Sequence, residues 1–201
     1  MKKLAFALVL VSLPVCAQDY EVGVFLGQNT YKSQTISGTE FKPETKTVAA
    51  ARLGFSIVDL GPALFEFTLG YQPKAKTPMD ANGLASGLTY GDQYWSAGLM
   101  FNFKAFVAVG AGVEYRGEKV SLEGPGVNQS ATYGRPWARV NVGFSFPTPV
   151  VKPFVGVEAA MPLASTSAPA NYGYGPGSDS DASLKSHAPN FQVGVYGGIR
   201  F

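Results

Sequence analysis

The sequence predicts an all-β fold: an eight-stranded antiparallel up-and-down barrel that crosses a membrane with its strands. Three observations carry this. Apolar residues recur at period two in eight segments, charged residues of those segments fall only on the opposite, glycine-rich face, and the connections alternate in length. Period two marks a strand, because successive side chains point to opposite faces of a sheet.

The first segment sets Tyr20, Val22, Val24 and Leu26 against Glu21, Gly23, Phe25 and Gly27. The second sets Ala49, Ala51, Leu53, Phe55 and Ile57 against Ala50, Arg52, Gly54 and Ser56, and the third Phe65, Phe67, Leu69 and Tyr71 against Glu66, Thr68, Gly70 and Gln72. The fourth opposes Trp95, Ala97, Leu99, Phe101 and Phe103 to Tyr94, Ser96, Gly98, Met100 and Asn102. Val107 to Tyr115 and Ala138 to Phe146 repeat the pattern, with Glu114, Arg116 and Arg139 on the second face. The seventh segment, Phe154 to Met161, carries Glu158 there, and the last, Phe191 to Phe201, carries Arg200.

Which face meets lipid follows from the one-sided placement of the charges, and the glycines argue against the reverse arrangement. A small barrel needs small inward residues to make room for its large ones, and here glycine shares a face with the charges. Glu21, Arg52, Glu66, Glu114, Arg116, Arg139, Glu158 and Arg200 are therefore assigned to the lumen. Eight strands leave an interior just wide enough for side chains to fill, and charges confined there must pair, since an isolated buried charge is costly. The expectation is a polar plug; a narrow pore lined by the same residues is the alternative.

Asp59 to Pro62, the Lys104 region and Pro147 to Val151 read as tight turns, while Asn29 to Lys46, Pro73 to Asp92, Gly117 to Tyr133 and Pro162 to Pro189 read as long loops. Short turns on one side and long loops on the other are the habit of outer-membrane barrels. A turn centred between Thr148 and Pro149 would set Arg139 opposite Glu158. Tyr20, Tyr71, Trp95, Phe103, Tyr115, Phe144, Phe146 and Phe201 fall near strand ends, where interfacial aromatic girdles sit.

Met1 to Ala17 reads as a cleaved signal peptide: Lys2 and Lys3, an apolar run from Leu4 to Val11 too short to span a bilayer, and Val15-Cys16-Ala17 as the cleavage site. Residues 18–201 then form the barrel domain. Removing Lys2 and Lys3 from 16 basic residues leaves 14 against 14 acidic ones, and removes the single cysteine. No disulfide or thiolate metal site is expected, and no nucleic-acid partner. With 24 glycines, 13% aromatics and 15% charged residues, the composition points away from a helical protein.

The strand ending in Val193, Val195, Ile199 and Phe201 resembles the C-terminal assembly signal of outer-membrane barrel proteins. Taken with the signal peptide and the eight segments, the chain resembles the small barrels of the OmpA, OmpX and opacity-protein type. The resemblance implies an outer-membrane location, recognition by the barrel-insertion machinery, contact with outer-membrane lipids, a monomer, and loops free to meet an extracellular ligand that the sequence does not name.

Candidate chemistry is sparse. Ser186, His187 and Asp181 are the right residue types for acyl transfer, but neighbours on a loop rarely hold the geometry that proton transfer needs. Asp179 and Asp181 offer oxygen ligands without the spacing of an EF-hand, so a solvated loop is expected rather than a calcium site. No cofactor is expected, and no catalysis. The functional expectation is a structural or adhesive outer-membrane barrel, with a small passive pore second and a lipid-modifying enzyme third.

Overall fold

A computed structural model describes residues 20–201 apart from 37, 105, 106, 147 and 149. The expected signal peptide lies outside the described residues, as does Pro149 of the expected turn centre. In chain order the elements are β1 (Tyr20–Tyr31), β2 (Gln34–Ile36), β3 (Thr39–Pro43), β4 (Lys46–Asp59), β5 (Ala63–Ala81), β6 (Leu84–Lys104), β7 (Ala108–Gly124), β8 (Val127–Ser145), β9 (Lys152–Pro162), α1 (Ser180–Ser186) and β10 (Pro189–Arg200). Strands β4 to β10 each pair antiparallel with the next in sequence, and β10 pairs with β1, which pairs in turn with β4. Eight strands thus close a barrel, with β2 and β3 as an excursion from the first long connection. The seam between β1 and β10 runs from Glu21↔Arg200 to Thr30↔Phe191, and below it the main chains of Tyr20 and Phe201 exchange hydrogen bonds of 2.9 and 3.3 Å.

The alternation read from the sequence sorts the faces. Leu99 and Val140 are 52% and 54% exposed although they sit in mid-strand, while Arg116 and Glu158 are 1% and 3% exposed. A water-soluble barrel has the reverse arrangement. Tyr71, Trp95 and Tyr115 mark one rim of the apolar belt, and Phe103, Phe144 and Phe201 the other. Trp95 and Tyr115 stand 6.2 Å apart and each lies across a glycine: a Cβ on Gly117 would collide with the indole, and one on Gly134 with the phenol. No helix among the described residues is long and apolar enough to cross a membrane.

Beyond the Tyr71–Trp95–Tyr115 rim the structure differs from the expected loops. Residues 73–92 and 117–133 are continuations of the strands, paired to Ala81↔Leu84 and to Gly124↔Val127. Asn82 and Gly83, with φ of 50° and 76°, make the two-residue turn whose twist suits a hairpin, and Pro125 and Gly126 (φ 75°) make the other. A bulge in β5 between Gln72 and Ala75 moves its alternation by one residue, which brings Thr77 and Met79 inward. Residues 162–189, expected as a loop, contain α1.

Above the rim the inward positions turn apolar. Met79, Tyr90, Val120, Leu122 and Ala131 form a cluster with Tyr31 and with Leu184 from α1. Tyr31 and Tyr90, which fall within the expected loops, are 2% and 0% exposed.

Candidate functional site

The lumen is built in three layers of inward side chains. Nearest the short turns, the guanidinium of Arg200 reaches Glu21 at 2.6 Å and Glu66 at 3.0 Å, across the seam and into β5. Asn102 donates to the same Glu66 carboxylate.

In the middle layer Arg52 donates to Glu158 at 2.5 Å, and a second nitrogen–oxygen contact of 2.5 Å completes an ion pair reaching from β4 to β9. Arg139 reaches Glu114 at 3.0 Å and donates to the hydroxyl of Thr68 at 3.2 Å, and Arg116 meets Glu114 at 2.6 Å. The register of β8 and β9 corrects one expectation. Asn141, not Arg139, stands opposite Glu158, and Arg139 faces Ala160. A slip of two residues keeps every side chain on its face, so Arg139 still meets Glu158, diagonally and at 3.7 Å.

The third layer lies at the rim. Arg116 is sandwiched between the rings of Trp137 and Tyr94, 3.9 and 4.2 Å from their centroids, a stacking that a desolvated guanidinium favours. Arg135 and the Trp137 indole both donate to Glu118, at 3.0 and 2.7 Å. Asp92 accepts from Tyr31 at 2.5 Å, Gln72 at 2.6 Å and Asn29 at 2.9 Å. Sequence reasoning misses Asp92, Glu118 and Arg135, because it ends the strand segments where the aromatic rim begins. The signal that could have found Glu118 is its place in the alternation of Glu114 and Arg116.

Little space remains between the layers. One cavity of about 50 Å³ lies among Glu21, Arg52, Glu66, Arg139, Glu158 and Arg200, and one of about 10 Å³ near Asp92 and Trp137. These hold a few waters at most. Inward glycines are already filled by neighbours: a Cβ on Gly98 would come within 2.5 Å of the Glu114 side chain, and one on Gly110 within 2.5 Å of Asn141.

Helix α1 caps the lumen. Asp179 accepts from the main chain of Ala182 at 3.0 Å as its N-cap, and Leu184 faces the apolar cluster. His187, expected on a loop, is fully buried at the end of this helix. Its Nδ1 donates to the carbonyl of Lys32 (3.2 Å), which leaves Nε2 to accept from the hydroxyl of Tyr172 (2.5 Å). Burial pushes the imidazole down to about 4. Ser186 donates to the carbonyl of Ser183 at 2.7 Å, so neither ring nitrogen is engaged by the serine and no relay with Asp181 is assembled. No group of three or more metal-ligating side chains occurs among the described residues.

Val193, Val195 and Ile199 on β10, and Phe201 just past its end, point outward and are 38–52% exposed.

Fold and lumen together define a class, the small eight-stranded barrel with a polar interior and an apolar exterior. No protein-family model and no curated protein matches the chain. Among solved structures it is similar to a major outer membrane protein from Thermus thermophilus, at 11% identity and TM-score 0.55, covering 90% of this chain and 98% of that one. It also aligns with Ail, the attachment invasion locus protein of Yersinia pestis (11%, TM-score 0.49, 92% and 99% covered), and with Neisserial surface protein A (12%, 0.48, 92% and 96%). At such identities the likeness concerns the fold, which is that of the small outer-membrane β-barrels.

Proposed function

We propose that the chain is a monomeric integral outer-membrane protein whose lumen is a closed polar plug and whose extracellular strands and α1 form a rigid platform for structural or adhesive contacts. The observation that carries this is the inversion of polarity at the aromatic rim. Below it the same strands present apolar residues outward and charges inward; above it they present Met79, Tyr90, Val120 and Leu122 inward and Lys74, Lys76 and Glu123 outward. A strand changes which face is apolar only where its outer surroundings change from hydrocarbon to water.

The filled lumen supports a plug over a pore. Planar-bilayer recordings of the refolded protein test it: no ion-conducting steps are expected, and reproducible unitary steps would assign the protein to the passive pores. A lipid A acylation assay is expected to be negative. Val193, Val195, Ile199 and Phe201 form the strand that the insertion machinery reads in this proposal, so deleting Phe201 lowers the amount assembled in cells while leaving refolding in vitro nearly intact.

A further inference from the structure

Above the rim the sheet leaves two stretches of strand edge unpaired, and they are finished differently. Strands β4 and β5 pair upward only as far as Ala51↔Tyr71, and the β5 edge opened above that level carries Pro73, Lys74 and Lys76. Proline lacks a donor and lysine resists desolvation, so both blunt an edge against a further strand. The second edge belongs to β8. Its pairing with β9 ends at Trp137↔Pro162, and one more main-chain bond, from the Leu163 amide to the Pro136 carbonyl at 2.9 Å, continues the ladder before the chain turns away. Among the described residues nothing pairs with the main chain of residues 131–135 on that side. This stretch, Ala131-Thr132-Tyr133-Gly134-Arg135, holds neither proline nor lysine, and its one charge is turned inward to Glu118.

The segment that leaves β9 is suited to continue it. Residues 163–168 read Leu-Ala-Ser-Thr-Ser-Ala, uncharged and free of proline up to Pro169. Across β8 and β9, residues whose numbers sum to 299 face one another, as Trp137 and Pro162 do. Carried upward, this register sets Ala164, Thr166 and Ala168 opposite Arg135, Tyr133 and Ala131 on the inward face, and Ser165 and Ser167 opposite Gly134 and Thr132 on the outward one. The two alanines would meet the interior and the two serines the water. In the structure the segment is instead irregular and largely exposed, and it leans toward β1, where the Lys32 ammonium donates to the Thr166 carbonyl at 2.5 Å. Among the described residues this is the only hydrogen bond that residues 164–168 make. Further along, the chain is already back at β8, since the Gln129 side chain donates to the Tyr174 carbonyl at 2.9 Å. Helix α1 and its latch on His187 need not move when the segment does.

We infer that residues 164–168 are a strap with two seats: the one seen, tied to Lys32, and a second in which they extend β9 along the free edge of β8. The exchange trades one lysine bond for a main-chain ladder. Because Leu163 donates to Pro136, the alternation of an antiparallel pair makes 165/134 and 167/132 the hydrogen-bonded pairs, and the amides of Gly134 and Thr132 are those that point to the free edge. An unpaired edge is a template for a strand from another chain. In the second seat the protein fills that template itself, so Lys32 governs whether the β8 edge is offered or withdrawn. The inference stands on strand register and does not depend on the membrane placement.

The test uses the full chain refolded in detergent micelles, with Cys16→Ser as the background and unchanged exchange of the belt amides as the sign that each variant is folded. Hydrogen exchange at the amides of Thr132 and Gly134, followed by NMR, reads the second seat. Lys32→Met, which releases the strap, should slow exchange at both amides severalfold. Adding Ser165→Pro, which removes a donor that the second seat needs, should return both to fast exchange. The pair Thr132→Cys/Ser167→Cys should cross-link under mild oxidation, and faster with Lys32→Met than with Lys32 in place. Equal exchange at the two amides in the background chain, in Lys32→Met and in Lys32→Met/Ser165→Pro overturns the inference. A folded Lys32→Met chain whose cysteine pair stays reduced overturns it as well, and both results leave the plug and the membrane placement untouched.

Discussion

The half of the barrel inside the belt and the half above it are built from the same strands with opposite chemistry. In β7, Glu114 and Arg116 point inward below the rim and Val120 and Leu122 point inward above it, two turns of the alternation apart. The lower half is closed by paired charges and aromatic stacking on Arg116, the upper half by an apolar cluster of ordinary soluble-protein kind. Strand geometry is common to both, so what differs is the surroundings each half must satisfy. Water stabilises the upper half by rejecting apolar surface; in hydrocarbon that force is absent outside, and specificity falls to the polar interior.

The comparison breaks most visibly at a buried charge. Glu158→Ala leaves Arg52 without its buried ion-pair partner, and equilibrium unfolding from bilayers should show a loss of about 3–5 kcal/mol. The open Lys74–Glu123–Lys76 group should tolerate Glu123→Ala with little change, since exposed pairs are screened. A loss below about 1 kcal/mol at Glu158 would mean that water reaches the middle layer and that the interior is a pore.

A charge on the outside distinguishes the halves next. Val140→Arg, in the belt, should cost about 2–4 kcal/mol, whereas Thr132→Arg, outward on the same strand above the rim, should stay within about 0.5 kcal/mol. Similar costs at the two positions would place the boundary elsewhere than at Tyr115.

Acid separates the halves through His187. The imidazole is neutral when buried and titrates near 4 in the folded protein, against an ordinary value near 6.5. The unfolded cap therefore binds the extra proton first, and cap stability falls as the pH drops from about 6.5 toward 4, by up to roughly 3 kcal/mol. Hydrogen exchange of residues 180–188 should accelerate over that window while exchange in the belt does not. A His187→Gln variant should lose the pH dependence, and if it keeps it, another group is responsible.

The smallest effect concerns a turn. Gly83→Ala places a Cβ at φ 76° with no neighbour to collide with, so only backbone strain is added, about 1 kcal/mol. Proteolysis at the hairpin tip should rise modestly without loss of the folded belt.

Much of the belt was legible in the sequence because one solvent acts on each face over the whole segment. Within the belt the outward residues from Val22 to Ile199 follow the same rule, with Gly197 as an exception on β10, and the eight lumen charges follow by parity. The upper half was illegible for three physical reasons. The apolar face changes sides at the rim, which erases the pattern that defines a strand. The bulge between Gln72 and Ala75 shifts parity within β5. The turn signal Asn82-Gly83 lies within residues 73–92, which read in the sequence as one long loop. Register was beyond reach as well: alternation fixes the face of Arg139 and Glu158 but is blind to a slip of two, so their diagonal contact required coordinates. The buried His187 gave no periodic signal, since seven residues of helix are too few to display one.

The seam between β1 and β10 has a kinetic meaning. Arg200 and Glu21, 179 positions apart, belong to the last pair of strands that can form, and no local hairpin substitutes for their meeting. Until then both edges are open ladders able to join another chain, and the loop to be closed is nearly the whole protein. Contact order of this kind slows folding and lengthens exposure to aggregation. The Arg200 clasp on Glu21 and Glu66 therefore acts late, retaining a closed cylinder once diffusion has brought its two ends together.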